Sequence, residues 1–501
     1  MAAAVSIEVA AQGAKNSATL EFLKGASKRL LIGGRWVPAR SGKTFEVINP
    51  ANEQLIANVS EGDKEDVAEA VKAARKAFDQ GPWPRMKPAE RAGYLNKWAD
   101  LIQKNAEQLA ELDTLDLGLM IESTRMFAYG AAGGVREAAS WINKIFGETA
   151  PSGEDLFNFT LREPLGVAGV IIPWNAPAVL ASSKPAIALA CGNTVVLKPA
   201  EQTPLSALRI GELALEAGLP EGVFNVVTGF GPGAGSALAN HLDVDAISFT
   251  GSVATGQEIY KAGAANMKKL VLELGGKSPD IVFPDADLEA AVPGTAAGIF
   301  RSMGQVCSAG SRIFVQRDMC HEFADRFADV AQSLKVGSPW ESGTQIGPLV
   351  SQAQYDRVTG YIDIGQKEGA TIHTGGKERP FDKGYFVKPT VLSNIENRMR
   401  VAQEEIFGPV AVLIPFKDEN DAVLQGNDTT YGLASGVWTR DVSRAIRVAR
   451  NIRAGTVWVN CYSERSPSMP FGGYKRSGLN TEGGKHSIDF WTQVKSVFIK
   501  V

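Results

Sequence analysis

The sequence predicts an α/β protein whose parallel sheets are covered by helices. Three observations carry that expectation. Short β-rich runs alternate with helical runs from residue 165 onward. A second series of the same kind starts near residue 280. The chain has 501 residues, too long for one hydrophobic core and suited to two or three packed units.

Taken in order, residues 1–29 show no charged n-region followed by a long apolar stretch, and Glu8 and Glu21 do not suit a transit peptide. They read as a tail before a fold that starts near Leu30. Residues 65–78 set Val67, Val71, Ala74 and Phe78 on one helical face, and 89–112 continue with Leu95, Trp98, Ile102 and Leu109. GVAGVII (166–172) reads as a buried strand, 177–191 as a helix and NTVVLKP (193–199) as the next strand. Thr203 and Pro204 supply an N-cap and first helical position, and Gly218 stops that helix. FNVVT (224–228) and DAISFT (245–250) are further strands, and 254–265 is a helix. Such alternation means a parallel sheet, with a nucleotide site expected at the C-terminal strand ends. DIVF, RIFV, a helix over 319–334, VAVLIPF and TVWVN form the second unit. The C-terminal SVFIKV is a strand without a local partner.

Composition excludes several classes. Hydrophobic residues make up 44% and charged residues 21%, as in an ordinary soluble enzyme. Net charge is −3 with no basic block, which argues against nucleic acid. The longest apolar runs are far below a membrane span. Four cysteines without a C-x-x-C pair, and four histidines without H-E-x-x-H, make a metal site unexpected. So few cysteines suit a reducing compartment, and a cytoplasmic location is the default expectation.

Three polar residues stand out as chemistry. Cys307 lies in GQVCSAGSR, crowded by small residues. A thiolate is the strongest side-chain nucleophile near neutral pH, although a free Cys is most often a buried structural one. Glu273 lies in LVLELGGKSP between apolar residues, where burial would raise its pKa toward general-base range or tie it into a Lys network. Asn175, in the stiff PWNAP turn after a strand, can donate to a developing oxyanion or bond its own backbone.

Two glycine-rich segments compete for a cofactor. GFGPGA (229–234) matches G-x-G-x-x-A, but Pro232 removes a backbone donor. FTGSVATG (249–256) is preferred, because Thr250, Gly251 and Ser252 open a longer helix able to hold a phosphate. In KPAEQTP, Lys198 and Glu201 can bond an adenosine ribose, and a carboxylate there repels a 2′-phosphate. In EEIFGP, Glu405 and Phe407 share parity, so both would face one side of an extended segment.

Together, PWNAP, KPAEQTP, FTGS, LELGGKSP, GQVCSAGSR, EEIFGP and PFGGYKRSG resemble the aldehyde dehydrogenase superfamily over roughly residues 30–501. The resemblance implies a Rossmann-like NAD-binding domain (30–145 and 165–275), an α/β catalytic domain (276–480) and a small β oligomerisation flap (146–164 and 486–501). It implies Cys307 as nucleophile, Glu273 as the base for the deacylating water, and Asn175 with the Cys307 N–H as oxyanion hole. Lys184 and Glu482 match a proton-relay pair. Lys198 and Glu201 would hold the adenosine ribose, Gly251 and Ser252 the pyrophosphate, and Glu405 the nicotinamide ribose. Phe407 would lie against the nicotinamide, and Trp174 falls with the cofactor contacts. A homodimer or homotetramer follows from the same resemblance.

The implied reaction is NAD-dependent oxidation of an aldehyde through a thiohemiacetal and a hydrolysed thioester. Rivals are an acylating, coenzyme A-dependent relative and a catalytically silent structural one. Glu273 argues against the first, and the joint presence of Cys307, Glu273 and Asn175 against the second. The sequence departs from better-known members at DLGLM (116–120) and at Ala176. The expected tunnel residues are Ala176, Leu180, Ser183, Arg301, Ser463 and Arg465. Arg301 and Arg465 would favour a carboxylate-bearing aldehyde. The Arg that semialdehyde-oxidising relatives carry at the position of Ser183 is missing, so a bulky aromatic or terpenoid aldehyde stays equally open.

Overall fold

The computed structural model describes residues 11–25 and 27–501. Two mostly parallel sheets organise the chain. The first runs in the order Gly478–Leu479, Lys269–Glu273, Ala246–Thr250, Val167–Ile171, Thr194–Lys198, Phe224–Val226, Leu30–Ile32 and Arg35–Val37. Its central strands are parallel and its edges antiparallel. Val167–Ile171 and Thr194–Lys198 are buried at every position, which explains the apolar runs VAGVI and VVL. The helix Leu205–Ala217 stops at Gly218, whose φ of 90° is the left-handed cap that glycine adopts without strain.

The second sheet runs in the order Thr371–Thr374, Thr390–Ser393, Val410–Phe416, Arg312–Gln316, Pro279–Val282, Ala434–Trp438 and Thr456–Val459. All its pairings are parallel except the first. Each sheet has its own apolar core, so the molecule is a Rossmann-like unit beside a second α/β unit. A third, smaller sheet pairs Thr492–Lys500 antiparallel with Leu156–Pro164, which gives SVFIKV its partner within the chain. The Gly478–Leu479 strand, although it falls within 276–480, pairs with Lys269–Glu273 of the first sheet.

Three local readings are corrected. Part of the expected N-terminal tail is docked: Ser17–Leu23 is a helix with Leu23 buried, and Glu111 accepts the backbone N–H groups of Lys15 and Asn16. At seven residues it is too short to show a helical period; residues 1–10 of that segment lie outside the described residues. The helical run over 89–112 is broken at Asn105, between Pro88–Lys104 and Ala106–Leu117. Thr203 does not cap its helix. Its hydroxyl donates to the Trp174 carbonyl at 3.3 Å, and the Leu205 N–H is instead met by the Asp116 carboxylate at 3.2 Å.

Register aligns the chemistry. Ile171 pairs with both Lys198 and Phe249, and Thr250 pairs with Glu273. Later strands add on both sides of Val167–Ile171, so strand order reverses there, and the crevice beyond these C-terminal ends is where an open parallel sheet binds ligands.

Candidate active site

Two adjoining clefts open at this strand end. The larger, about 940 Å³, is walled by Lys198, Glu201, Gly231, Pro232, Gly251 and Ser252 among others. The two competing glycine-rich segments therefore line one cleft. Ser252 caps the helix Val253–Gly263, its side chain accepting from the Thr255 N–H, and Ser252, Ala254 and Thr255 at that helix end line the cleft. Lys198 is buried and its Nζ lies 3.2 Å from a Glu201 carboxylate oxygen. Burial lowers the Lys198 pKa, and Glu201 opposes that shift.

The smaller cleft, about 250 Å³, is shared by Trp174, Asn175, Gly251, Ser252, Glu273, Cys307, Glu405 and Phe407. Eight sequence-selected residues thus meet around one space. Arg357 and Gln354 also line it, and sequence reasoning missed both. They lie on the helix Gln352–Lys367 with no motif around them, and they hold the EEIFGP turn: Gln354 donates to the Phe407 carbonyl at 2.7 Å, and Arg357 to the Glu405 carbonyl. That turn is not the extended segment expected from parity. Phe407 has φ 62°, so Glu405 and Phe407 share the cleft through a left-handed turn.

Glycines after Glu273 pack these parts together. A Cβ on Gly275 would lie 2.3 Å from a Glu405 carboxylate oxygen, and one on Gly276 would lie 2.4 Å from the Cys307 carbonyl. The Gly276 N–H donates to Glu405 at 3.0 Å. Upstream of Cys307, Ser302, Met303 and Gly304 all have positive φ, and Gly304 abuts the Gly408 carbonyl. Such backbone costs about 1–3 kcal/mol for each non-glycine residue, and it persists only where its surroundings enforce it.

Charge in the cleft is finely opposed. Burial pushes the Cys307 thiol up to about 11; Arg465 works against this, while Glu273 and Glu405 add to it. Burial also raises Glu273 well above the usual carboxylate range, Glu482 reinforces the shift, and Lys184 and Arg465 oppose it. Both Glu273 carboxylate oxygens are buried without a hydrogen-bond partner. Lys184 and Glu482 form an ion pair at 2.5 Å, and the Ser248 hydroxyl donates to Glu482 at 2.8 Å. Glu405 is pushed up to about 7 by burial, with the Gly276 N–H opposing.

The six tunnel candidates line neither cleft. Ala176, Leu180 and Ser183 are half-buried at the start of the helix Pro177–Ala190, and the Ser183 hydroxyl donates back to the Val179 carbonyl at 2.7 Å. Ser463 and Arg465 share a loop over the nucleophile turn. The Arg465 guanidinium stacks on Phe471 at 4.1 Å and reaches the Ser308 hydroxyl at 3.5 Å. Arg301 is exposed after the helix Leu288–Phe300, and among the described residues no hydrogen bond or ion pair ties it to Cys307. Among the described residues no helix is long and apolar enough to cross a membrane, and no group of His, Cys, Asp or Glu is placed to hold a metal.

The aldehyde dehydrogenase family model matches residues 36–497. An aldehyde dehydrogenase of Alternaria alternata is 49% identical over 474 residues, covering 94% of this chain and 95% of that protein. Aldehyde dehydrogenase 1A1 of Gallus gallus is 48% identical over 486 residues, covering 96% and 95%. Among solved structures, the NAD+ complex of an aldehyde dehydrogenase from Bacillus cereus superposes with a TM-score of 0.95 at 46% identity, covering 97% of this chain and 99% of that one.

Proposed function

The chain belongs to the aldehyde dehydrogenase family, and from that premise we propose that it oxidises an aldehyde with NAD by the hydrolytic route, through a Cys307 thioester. One observation carries the choice of route: Glu273 faces the same cleft as Cys307 with both carboxylate oxygens unpartnered, and burial raises its proton affinity, so its ionised form is a strong base for water.

The two clefts suit the cofactor. Lys198 and Glu201 offer a donor and an acceptor for ribose hydroxyls, and the helix end at Ser252 suits a pyrophosphate. Glu405 and Phe407, beside Cys307, would meet the nicotinamide ribose and ring. Bound there, NAD supplies the hydride acceptor.

The residues divide the remaining work. The Cys307 thiol gives its proton to water and its sulfur bonds to the aldehyde carbon, and the carbonyl oxygen becomes an oxyanion held by the Asn175 amide and the Cys307 N–H. Loss of hydride from that carbon leaves a thioester. Glu273 then takes a proton from water as its oxygen attacks the acyl carbon; the C–S bond breaks and the acid leaves. Lys184 and Glu482, electrostatically linked to Glu273, are its outlet for protons. The family background also supports a homodimer or homotetramer joined through the small sheet, where Phe157, Leu161, Val494 and Phe498 are exposed.

Arg465, held near the nucleophile turn, supports an aldehyde whose far end bears a carboxylate or other acceptor. The test is a panel of aldehydes with NAD, following NADH formation with and without coenzyme A. Acid formation without coenzyme A supports the hydrolytic route; strict dependence on coenzyme A overturns it.

A further inference from the structure

Tyr462 was not singled out by its sequence setting, yet it is caged against the nucleophile turn. Its ring is buried between three glycines. A Cβ on Gly298, Gly310 or Gly436 would lie 3.1, 3.0 or 2.8 Å from ring atoms of Tyr462. Trp458 packs beside it with ring centroids 4.8 Å apart. The Trp458 indole N–H donates to the Glu464 carbonyl at 2.8 Å, which fastens the loop that carries Tyr462. Asn460 and Ser463, close on either side, both have positive φ, so this loop is held in one unusual path.

The Tyr462 hydroxyl donates to the Ser308 carbonyl at 2.8 Å. That carbonyl belongs to the residue directly after Cys307. On the other side, the Gln305 carbonyl accepts from Asn175 at 2.8 Å. The short segment between the two clamped carbonyls contains the Cys307 N–H and thiol.

We propose that Tyr462 is a positioning residue that clamps the C-terminal side of the nucleophile turn and so fixes the Cys307 thiol and N–H for attack. It touches neither cleft, so it acts through Cys307 rather than on substrate. The inference rests on the reading of Cys307 as nucleophile. A loosened turn misplaces the sulfur, and a displacement of about 1 Å can cost about 100-fold in rate.

Tyr462→Phe keeps the ring in its glycine cage and removes only the hydroxyl. The NADH burst rate and the rate of Cys307 alkylation by iodoacetamide should each fall at least tenfold. NAD Kd and aldehyde KM should stay within about twofold, a split that general loosening of the fold does not produce. Thermal unfolding with and without NAD verifies that the variant is folded and binds cofactor. Wild-type burst and alkylation rates in Tyr462→Phe overturn the proposal. A parallel loss of NAD affinity also overturns it, since the effect would then be global. Cys307→Ser is run beside it: substantial activity there overturns the nucleophile assignment itself, a result distinct from failure of the clamp.

Discussion

The side-chain amide of Asn175 donates to the backbone carbonyl of Gln305 at 2.8 Å. An amide nitrogen carries two N–H groups, so this bond fixes the amide plane and leaves the second N–H for another acceptor. Asn175 also lines the cleft that contains Cys307. The residue is thus anchored to the nucleophile turn by the same group that is proposed to hold the oxyanion.

Asn175→Ala is therefore expected to lower kcat by about 10²–10³-fold, the usual loss for one oxyanion donor. NAD affinity should change little. Steady-state kinetics with a saturating aldehyde, together with cofactor titration, check both parts.

Glu201 is expected to enforce NAD over NADP, because its carboxylate in the larger cleft would meet a 2′-phosphate. Glu201→Ser should narrow the ratio of the two kcat/KM values by about tenfold, equivalent to about 1.4 kcal/mol. Lys198, 3.2 Å away, would then be free to meet the phosphate. Preference for NADP in the unmutated enzyme would contradict the assignment.

Glu405 gives a pH dependence with a definite sign. Its carboxyl is pushed up to about 7, so it loses its charge as pH falls through that value. If the cofactor ribose needs the ionised form, NAD Kd should weaken by about tenfold between pH 8 and pH 6. Glu405→Gln should flatten that dependence. Fluorescence titration of the cofactor at several pH values is the measurement.

Arg465 and Arg301 make opposite forecasts for substrate choice. Arg465→Ala should lower the kcat/KM ratio of an acidic semialdehyde to a neutral bulky aldehyde by about tenfold or more, as for loss of a charged hydrogen bond. Arg301→Ala should leave that ratio nearly unchanged, because Arg301 is exposed and lines neither cleft. An unchanged ratio in Arg465→Ala would favour the neutral aldehyde.

The parallel sheets were legible because buried strands such as Val167–Ile171 read as continuous apolar runs between glycine and proline turns. Cys307, Glu273, Asn175, Glu405 and Phe407 were legible because each sits in a motif, and the fold brings all five to one cleft. Arg357, Gln354 and Tyr462 were not. Their roles depend on contacts across the chain, 48 residues for Arg357 to Glu405 and 154 for Tyr462 to Ser308, which no local pattern records. Parity put Glu405 and Phe407 on one side, as the shared cleft does, but missed that the segment is a left-handed turn at Phe407 and not an extended strand. The helix Ser17–Leu23 was hidden by its shortness, since its docking comes from Glu111 and Gln108 far along the sequence.

Rapid mixing of Glu273→Gln with aldehyde and NAD, with intact-mass analysis of the quenched protein, tests the proposed route most directly. The account predicts a burst of NADH close to one per active site, then a steady state at least about 10²-fold slower, as for loss of a general base. During the slow phase, an acyl adduct should accumulate on Cys307. Equal slowing of burst and steady state, with no adduct on Cys307, would contradict hydrolysis of a Cys307 thioester by Glu273.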